Sequence, residues 1–456
     1  MSKVLVFIPE DKALNNLLRY NVLKKFQKKK YIILTTSQVA KSYPSLTNVI
    51  TFNTSWNTGS ILHLVDYFYL KNFFQKNNKS QKMYLRTRVF GPYKINSTIN
   101  LLRAVKSFFY FLFNIRWIVI LKLYQKPPEI VLEKLREKNL IASNDTKKFM
   151  DILKNNRIAS VISITTLKHP ILFDFSEACS KLNIPNYVFP DCWDNISNSP
   201  AIPSKITRLC VWSKQQQIQV GDFHPNLRKK TDIFGTYRTI NNVNNKLPLL
   251  KSVIFGNNGV LKILYIEGYF YEDLQFVIQR IVDSLLSSER TYFKKILITI
   301  RHYPRPRQNE NSIYRPLETK LVQPKNLVKI SIEPSSNYLL ADDLNETNLV
   351  FSELSTAALE AATRFIPVIF ISSNRSPRYL DTRRGYLFPF AYDLQLYFDV
   401  IDLSSSKSVK FLSEAIERNL NSKSLAKSKL DFLAPSLNLM KLNKLHGEIK
   451  STLGNR

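Results

Sequence analysis

Glycine is scarce in this chain, with 10 in 456 residues, about 2% where ~7% is usual. No three glycines are spaced G-x-G-x-x-G and no G-x-x-x-x-G-K-[ST] occurs, so glycine-loop cradles for dinucleotides and nucleoside triphosphates are excluded. Any bound phosphate must meet Arg, Lys, hydroxyls or helix N-termini. Cysteine is sparse too. Cys179, Cys192 and Cys210 are odd in number and show no C-x-x-C spacing, which fits free thiols in a reducing compartment. The five histidines form no H-E-x-x-H motif or ligand cluster, so neither a metal nor a resident cofactor is expected. No signal-type apolar region precedes the first strand. The expected location is cytoplasmic, peripheral at the inner face of the plasma membrane.

Acidic residues are outnumbered, 35 against 66 basic ones, for a formal charge of +31. The imbalance is local: residues 1–130 hold 21 Lys and Arg against 4 Asp and Glu, and 67–128 hold no acid at all. That acid-free stretch contains 12 basic and 15 aromatic residues. Its apolar runs, Phe108 to Phe113 and Trp117 to Leu121, flank Arg116 and fall well short of the ~20 residues of a spanning helix. A solvated basic face, an anionic membrane surface and a nucleic acid all fit the charge. The aromatics favour the membrane, and no nucleic-acid motif accompanies the charge, so no nucleic-acid partner is expected.

With 44% hydrophobic residues the chain can fill cores, and its length suggests two domains. Strand runs at Val4–Ile8 and Tyr31–Thr35 enclose a helical pattern at 14–26, a βαβ signature. The pattern continues with a helix near 145–155, a strand at Ser160–Ile164, a helix near 171–182, and strands at Asn186–Phe189 and Arg208–Trp212. Residues 239–260 carry six Asn with Pro and Gly and read as a linker. A second α/β series follows, with strands at Lys262–Ile266, Lys295–Ile300, Leu327–Ile330, Leu349–Phe351 and Pro367–Ile371. Its helices fall near 272–288, 355–364 and beyond 405. The expected architecture is α/β: an N-terminal Rossmann-like domain at 1–240 with a basic aromatic insertion at about 67–128, a linker at 241–260, and a C-terminal Rossmann-like domain at 261–456. The two domains would face a cleft, with ligands beyond the carboxyl ends of the strands.

Three local patterns carry candidate chemistry. In Phe351–Ala362, Ser355 and Thr356 stand where a strand gives way to a helix, suited to a phosphate, with Glu360 one turn on for ribose hydroxyls. An ordinary helix cap explains the same serine. Arg301, His302, Arg305 and Arg307 cluster after a strand, where guanidinium groups suit a diphosphate or form a basic surface loop. Asp191 and Asp194 follow another strand, as candidate bases on an acceptor hydroxyl or as routine loop residues.

Taken in order, Asp191 to Asn195, then Pro203 to Gln216 with Trp212 and Ser213, then Phe234 to Arg238, then the Arg-His cluster and Ser355 to Ala361, resemble GT-B-type glycosyltransferases of bacterial surface polysaccharide synthesis. The resemblance runs from about 186 to 371 and extends to the capsule and teichoic-acid transferases and to UDP-N-acetylglucosamine 2-epimerase-like enzymes. It implies a nucleotide-sugar donor on the second domain, with Ser355 and Thr356 at the diphosphate, Glu360 at the ribose, and Arg301 and His302 near the phosphates. It also implies a polysaccharide or lipid-linked acceptor and a leaving charge stabilised without a metal. The histidine is followed by Tyr303 rather than directly by proline, and Phe365 stands where a glycine is usual. Bacterial sialyl- and polysialyltransferases are similar in layout, through Glu267-Gly268 and Ser355-Thr356, which makes Glu267 a further candidate base. The alternatives are a sialyltransferase-like or polyol-phosphate transferase, a sugar-nucleotide 2-epimerase, and a non-catalytic surface-carbohydrate assembly protein of the same fold.

Overall fold

The computed structural model describes residues 3–19, 22, 31–53, 145–167, 171–193, 195–198, 202–239, 260–267, 274–287, 295–301, 328–333, 340–353, 355–372, 394, 397–403 and 405–421. The chain divides into two compact units, Met1–Tyr237 together with Leu437–Arg456, and Arg238–Ser436. The sequence predicts a second domain running to residue 456, whereas this division assigns the stretch from Leu437 to the first unit. The predicted insertion at 67–128 and nearly all of the predicted linker lie outside the described residues.

In the first unit the chain runs β1 (Lys3–Phe7), α1 (Asp11–Arg19), β2 (Tyr31–Thr36), α2 (Ser37–Lys41), β3 (Val49–Phe52), α3 (Asp145–Asn155), β4 (Ile158–Thr165), α4 (Ile171–Lys181), β5 (Asn186–Pro190), α5 (Asn195–Asn198), β6 (Arg208–Val211), α6 (Lys214–Phe223) and β7 (Thr231–Ile233). All seven strands pair in parallel, in the order β3-β2-β1-β4-β5-β6-β7. Parallel strands covered on both faces read as near-continuous apolar runs; β1 does so from Val4, while β4 breaks its run with the buried Ser160 and Ser163. Successive side chains of β1 enter opposite cores. Leu5 and Phe7 join the core on one face, Val6 and Ile8 that on the other, as the two-residue period of a strand requires. Phe7 stacks on Phe175 of α4, ring centroids 3.9 Å apart, and meets Phe149 of α3 edge-on.

The second unit contains β8 (Val260–Ile266), α7 (Leu274–Ser287), β9 (Lys295–Arg301), β10 (Val328–Glu333), α8 (Leu340–Asn345), β11 (Leu349–Ser352), α9 (Thr356–Thr363), β12 (Val368–Ser372), β13 (Asp399–Asp402) and α10 (Ser408–Asn421). Its six strands are also parallel, ordered β10-β9-β8-β11-β12-β13. Helix α7 buries Leu274, Val277, Ile278, Ile281, Val282 and Leu285, a stripe at helical spacing. Each sheet starts near its centre, builds outward to one side, then crosses over and builds to the other. The reversal falls between β1 and β4 in the first unit and between β8 and β11 in the second. Crevices for ligands open beyond the carboxyl ends of strands at such reversals.

Candidate functional site

At the first reversal, the chain leaving β1 presents Glu10 just ahead of α1. The chain leaving β4 turns sharply at Thr165, Thr166 and Leu167. Leu167 takes a left-handed φ of 63°, and its N–H donates to Thr165 Oγ1 at 3.2 Å. This turn holds the Glu10 carboxylate. Oε1 accepts from Thr165 Oγ1 at 2.9 Å and from Thr166 Oγ1 at 2.7 Å, and the Thr166 N–H donates to Oε2 at 3.1 Å. Burial raises the Glu10 carboxyl to about 7; the threonine hydrogen bonds oppose the rise, and the charge of Asp191 adds a little to it. A carboxyl placed near neutrality in a sheet crevice is a candidate proton acceptor.

Asp191 follows β5, the next strand along. It is fully buried. Its carboxylate accepts from Asn16 Nδ2 of α1 at 3.0 and 3.1 Å, from the Tyr237 hydroxyl, and from Cys192 Sγ at 3.3 Å. With these donors and no exposure, Asp191 is placed to orient its neighbours rather than to meet a substrate. The loop after it is fixed from β6 and α6. Trp212 Nε1 donates to the Pro190 carbonyl at 2.8 Å, and Gln216 Nε2 donates to the Trp193 carbonyl at 2.9 Å. Ser213 caps α6, accepting from the Gln216 N–H. The Trp212-Ser-Lys-Gln-Gln run thus buttresses the Asp191 loop. Gly235, at φ 85°, supplies the left-handed turn two residues before Tyr237, a conformation that only glycine adopts without strain.

In the second unit, Glu267 follows β8 and is 2% exposed, with its N–H donating to the Arg301 carbonyl at 3.0 Å. Arg301 is 5% exposed, and its guanidinium pairs with Asp343 of α8. Burial pushes the Asp343 carboxyl up, and Arg301 opposes the shift. Ser355 caps α9, its hydroxyl accepting from the Ala357 N–H at 3.2 Å, and Thr356 opens the helix. Glu360 is buried and pairs with Arg238 at 3.2 Å, both residues belonging to this unit. Phe365, where the resemblance leads one to expect glycine, takes φ 61° just past the helix end. Register pairs Ser352 of β11 with Ile266 of β8, so Glu353 and Glu267 leave neighbouring strands at the second reversal.

The predicted site residues therefore divide. Ser355, Thr356 and Glu360 lie on one helix, as their spacing implied. Arg301 ends β9 and Glu267 follows the adjacent β8. Asp194, His302 and Arg305 lie outside the described residues. Sequence reasoning passed over Glu10, Thr165, Thr166, Tyr237 and Glu353. Glu10 had one available signal, an acid immediately after the first strand of a βαβ unit. Among the described residues, no group of three His, Cys, Asp or Glu side chains is arranged to hold a metal ion, and no helix is long and apolar enough to cross a membrane.

No protein-family model matches the sequence, and no curated protein is detectably similar to it. Solved structures are similar in fold. One is MurG of Acinetobacter baumannii, with TM-score 0.52 and 10% identity over 98% of this chain and 99% of that one. Another is the UDP-GlcNAc 2-epimerase of Methanocaldococcus jannaschii, with TM-score 0.53 and 11% identity over 97% and 99%. At this identity the likeness speaks to the fold, and the chain has the GT-B-type α/β fold of two Rossmann-like sheets.

Proposed function

We propose that the chain is a glycosyltransferase that moves a sugar from a nucleotide-sugar to a hydroxyl of a polysaccharide or lipid-linked acceptor, with Glu10 as general base. The observation that carries this reading is the Glu10 carboxylate at the reversal of the first sheet, held by three donors of Thr165 and Thr166 and raised to about 7 by burial. A base must be partly ionised at working pH yet basic enough to take a hydroxyl proton, and a value near 7 meets both demands. In the reaction, the acceptor oxygen attacks the anomeric carbon while its proton passes to Glu10. The bond from that carbon to the phosphate oxygen breaks, and the nucleotide leaves with the electron pair. In the second unit, taken by itself, the start of α9 with Ser355 and Thr356 suits the phosphate of a nucleotide. Glu360, on the same helix and tied to Arg238, suits the ribose hydroxyls. Arg301 is engaged by Asp343.

A solved neighbour named for UDP-GlcNAc supports a nucleotide-sugar as donor, and also favours a second reading, a sugar-nucleotide 2-epimerase. Incubation with UDP-, GDP-, CDP- and CMP-linked sugars, with and without glycan acceptors, separates them. Product that depends on acceptor supports transfer, whereas an epimerised sugar formed without acceptor refutes it. Glu10→Gln is expected to lower kcat by about 10²–10⁴-fold. The acid-free basic and aromatic stretch at 67–128 supports a position at the inner membrane face. Co-sedimentation with phosphatidylserine vesicles at low salt tests it, and no binding refutes it.

A further inference from the structure

We propose that the turn Thr165–Leu167 is built to hold Glu10, and that Thr166 is a positioning residue that fixes the direction of its carboxylate and the ease with which it gives up a proton. The inference rests on the reading of Glu10 as the base. The turn is costly to form. Leu167 is 2% exposed, and a branched side chain in the left-handed region is strained where glycine would not be. Such strain persists where surrounding structure enforces it, and it concentrates at functional sites. What the conformation achieves here is specific: it delivers the Thr166 N–H, the Thr166 hydroxyl and the Thr165 hydroxyl to one carboxylate.

Among the described residues, few groups face Glu10. From the end of β4 come the two threonines, both neutral. From the end of β5 comes Asp191, a like charge whose carboxylate is itself held by Asn16 of α1 and by Tyr237. Asp11 and Lys12, which follow Glu10 on α1, are exposed. Among the described residues, the hydrogen bonds donated by Thr165 and Thr166 are what favour its ionised form. Thr166 supplies two of them, and its hydroxyl bond, at 2.7 Å, is the shortest. Hydrogen bonds to a carboxylate stabilise the charged form over the acid. Removing the Thr166 hydroxyl therefore makes Glu10 hold its proton longer, whereas a purely structural threonine would leave the titration in place.

The test is a titration, independent of any transfer assay. Protein labelled with carboxyl-¹³C glutamate is followed by NMR from pH 4 to 9, with the Glu10 signal identified by its loss in Glu10→Gln. The wild-type midpoint is expected near about 7. Thr166→Val is expected to raise it by on the order of one pH unit, the effect of one charge-assisted hydrogen bond. Thr165→Val is expected to raise it less, and Thr166→Ser, which keeps the hydroxyl, to leave it unchanged. If Thr166→Val does not fold, Thr166→Ala carries the same expectation. A midpoint that stays put in the variant lacking the hydroxyl overturns the proposal, as does an equal shift in Thr166→Ser. Failure of the transferase reading shows separately, as absent transfer in a protein whose Glu10 titrates as described.

Discussion

Glu10 ties the stability of the first unit to pH in a direction opposite to that of most carboxylates. Its carboxyl is raised from 4.5 to about 7 by burial. Between those values the folded state holds a proton that the unfolded chain has released, so stability falls as pH rises through the window. At about 1.4 kcal/mol for each pH unit that separates the two values, the loss approaches ~3 kcal/mol by pH 8. Glu10→Gln is neutral at every pH, and its amide oxygen still accepts from Thr166. Whatever fixed cost the amide adds, the variant loses the slope. All four tryptophans belong to the first unit, and Trp193 and Trp212 are 2% exposed, so urea unfolding followed by tryptophan fluorescence reports on this unit. Measured at pH 5, 6, 7 and 8, the stability of Glu10→Gln relative to wild type is expected to climb by about 2–3 kcal/mol. Other titrating groups cancel in that difference. A difference that stays flat across the range refutes the raised carboxyl and removes the basis for Glu10 as base.

In the second unit, Arg238→Ala leaves Glu360 as a buried charge without its guanidinium. Unfolding followed by circular dichroism is expected to show a loss of about 3 kcal/mol or more, largely recovered in Arg238→Met combined with Glu360→Leu. A single-variant cost below about 1 kcal/mol would show the pair to be solvated. Arg157, exposed and at φ 51° just after α3, holds a strained left-handed conformation with no packing in return. Arg157→Gly is expected to raise the stability of the first unit by roughly 0.5–1 kcal/mol, and a loss in the same urea assay would contradict this.

Much of the strand framework was legible in the sequence, for a physical reason. Strands such as β1, β2, β4, β8 and β9 lie inside parallel sheets, so both faces are apolar and the runs stand out. The edge strands β3, β7 and β13 were missed: Val49-Ile-Thr-Phe, Thr231-Asp-Ile and Asp399-Val-Ile-Asp are four residues or fewer and mix polar with apolar residues, as loops do. Helix α1 begins at Asp11, three residues ahead of the apolar position taken to mark its start. At the site, local features could be read and distant partners could not. The cap at Ser355 and the helix under Glu360 depend on neighbours within one turn. Two partners of Asp191, Asn16 and Tyr237, stand 175 and 46 positions away. Arg301 looked like a phosphate ligand because its local companions are basic, but Asp343, 42 positions on, sets its charge balance. Glu10 looked like any surface acid at a strand end, and only the strand order that sets β4 beside β1 buries it.

That order explains why similar carboxylates in one chain differ in what they can do. Both sheets reverse beside their first strand, and in both that strand is followed by an acid, Glu10 in one and Glu267 in the other. Position alone therefore does not assign a role; the partners do. Glu360 meets the guanidinium of Arg238, which ties α9 to the start of its unit. Asp191 is enclosed by an amide, a phenol and a thiol, and has no exposure through which a substrate proton could reach it. Glu10 is held by hydroxyls and one backbone N–H, groups that orient a carboxylate without fixing its charge, and it stays half-buried rather than sealed. Among the described carboxylates of the first reversal, it is the one whose surroundings favour exchange of a proton near neutral pH.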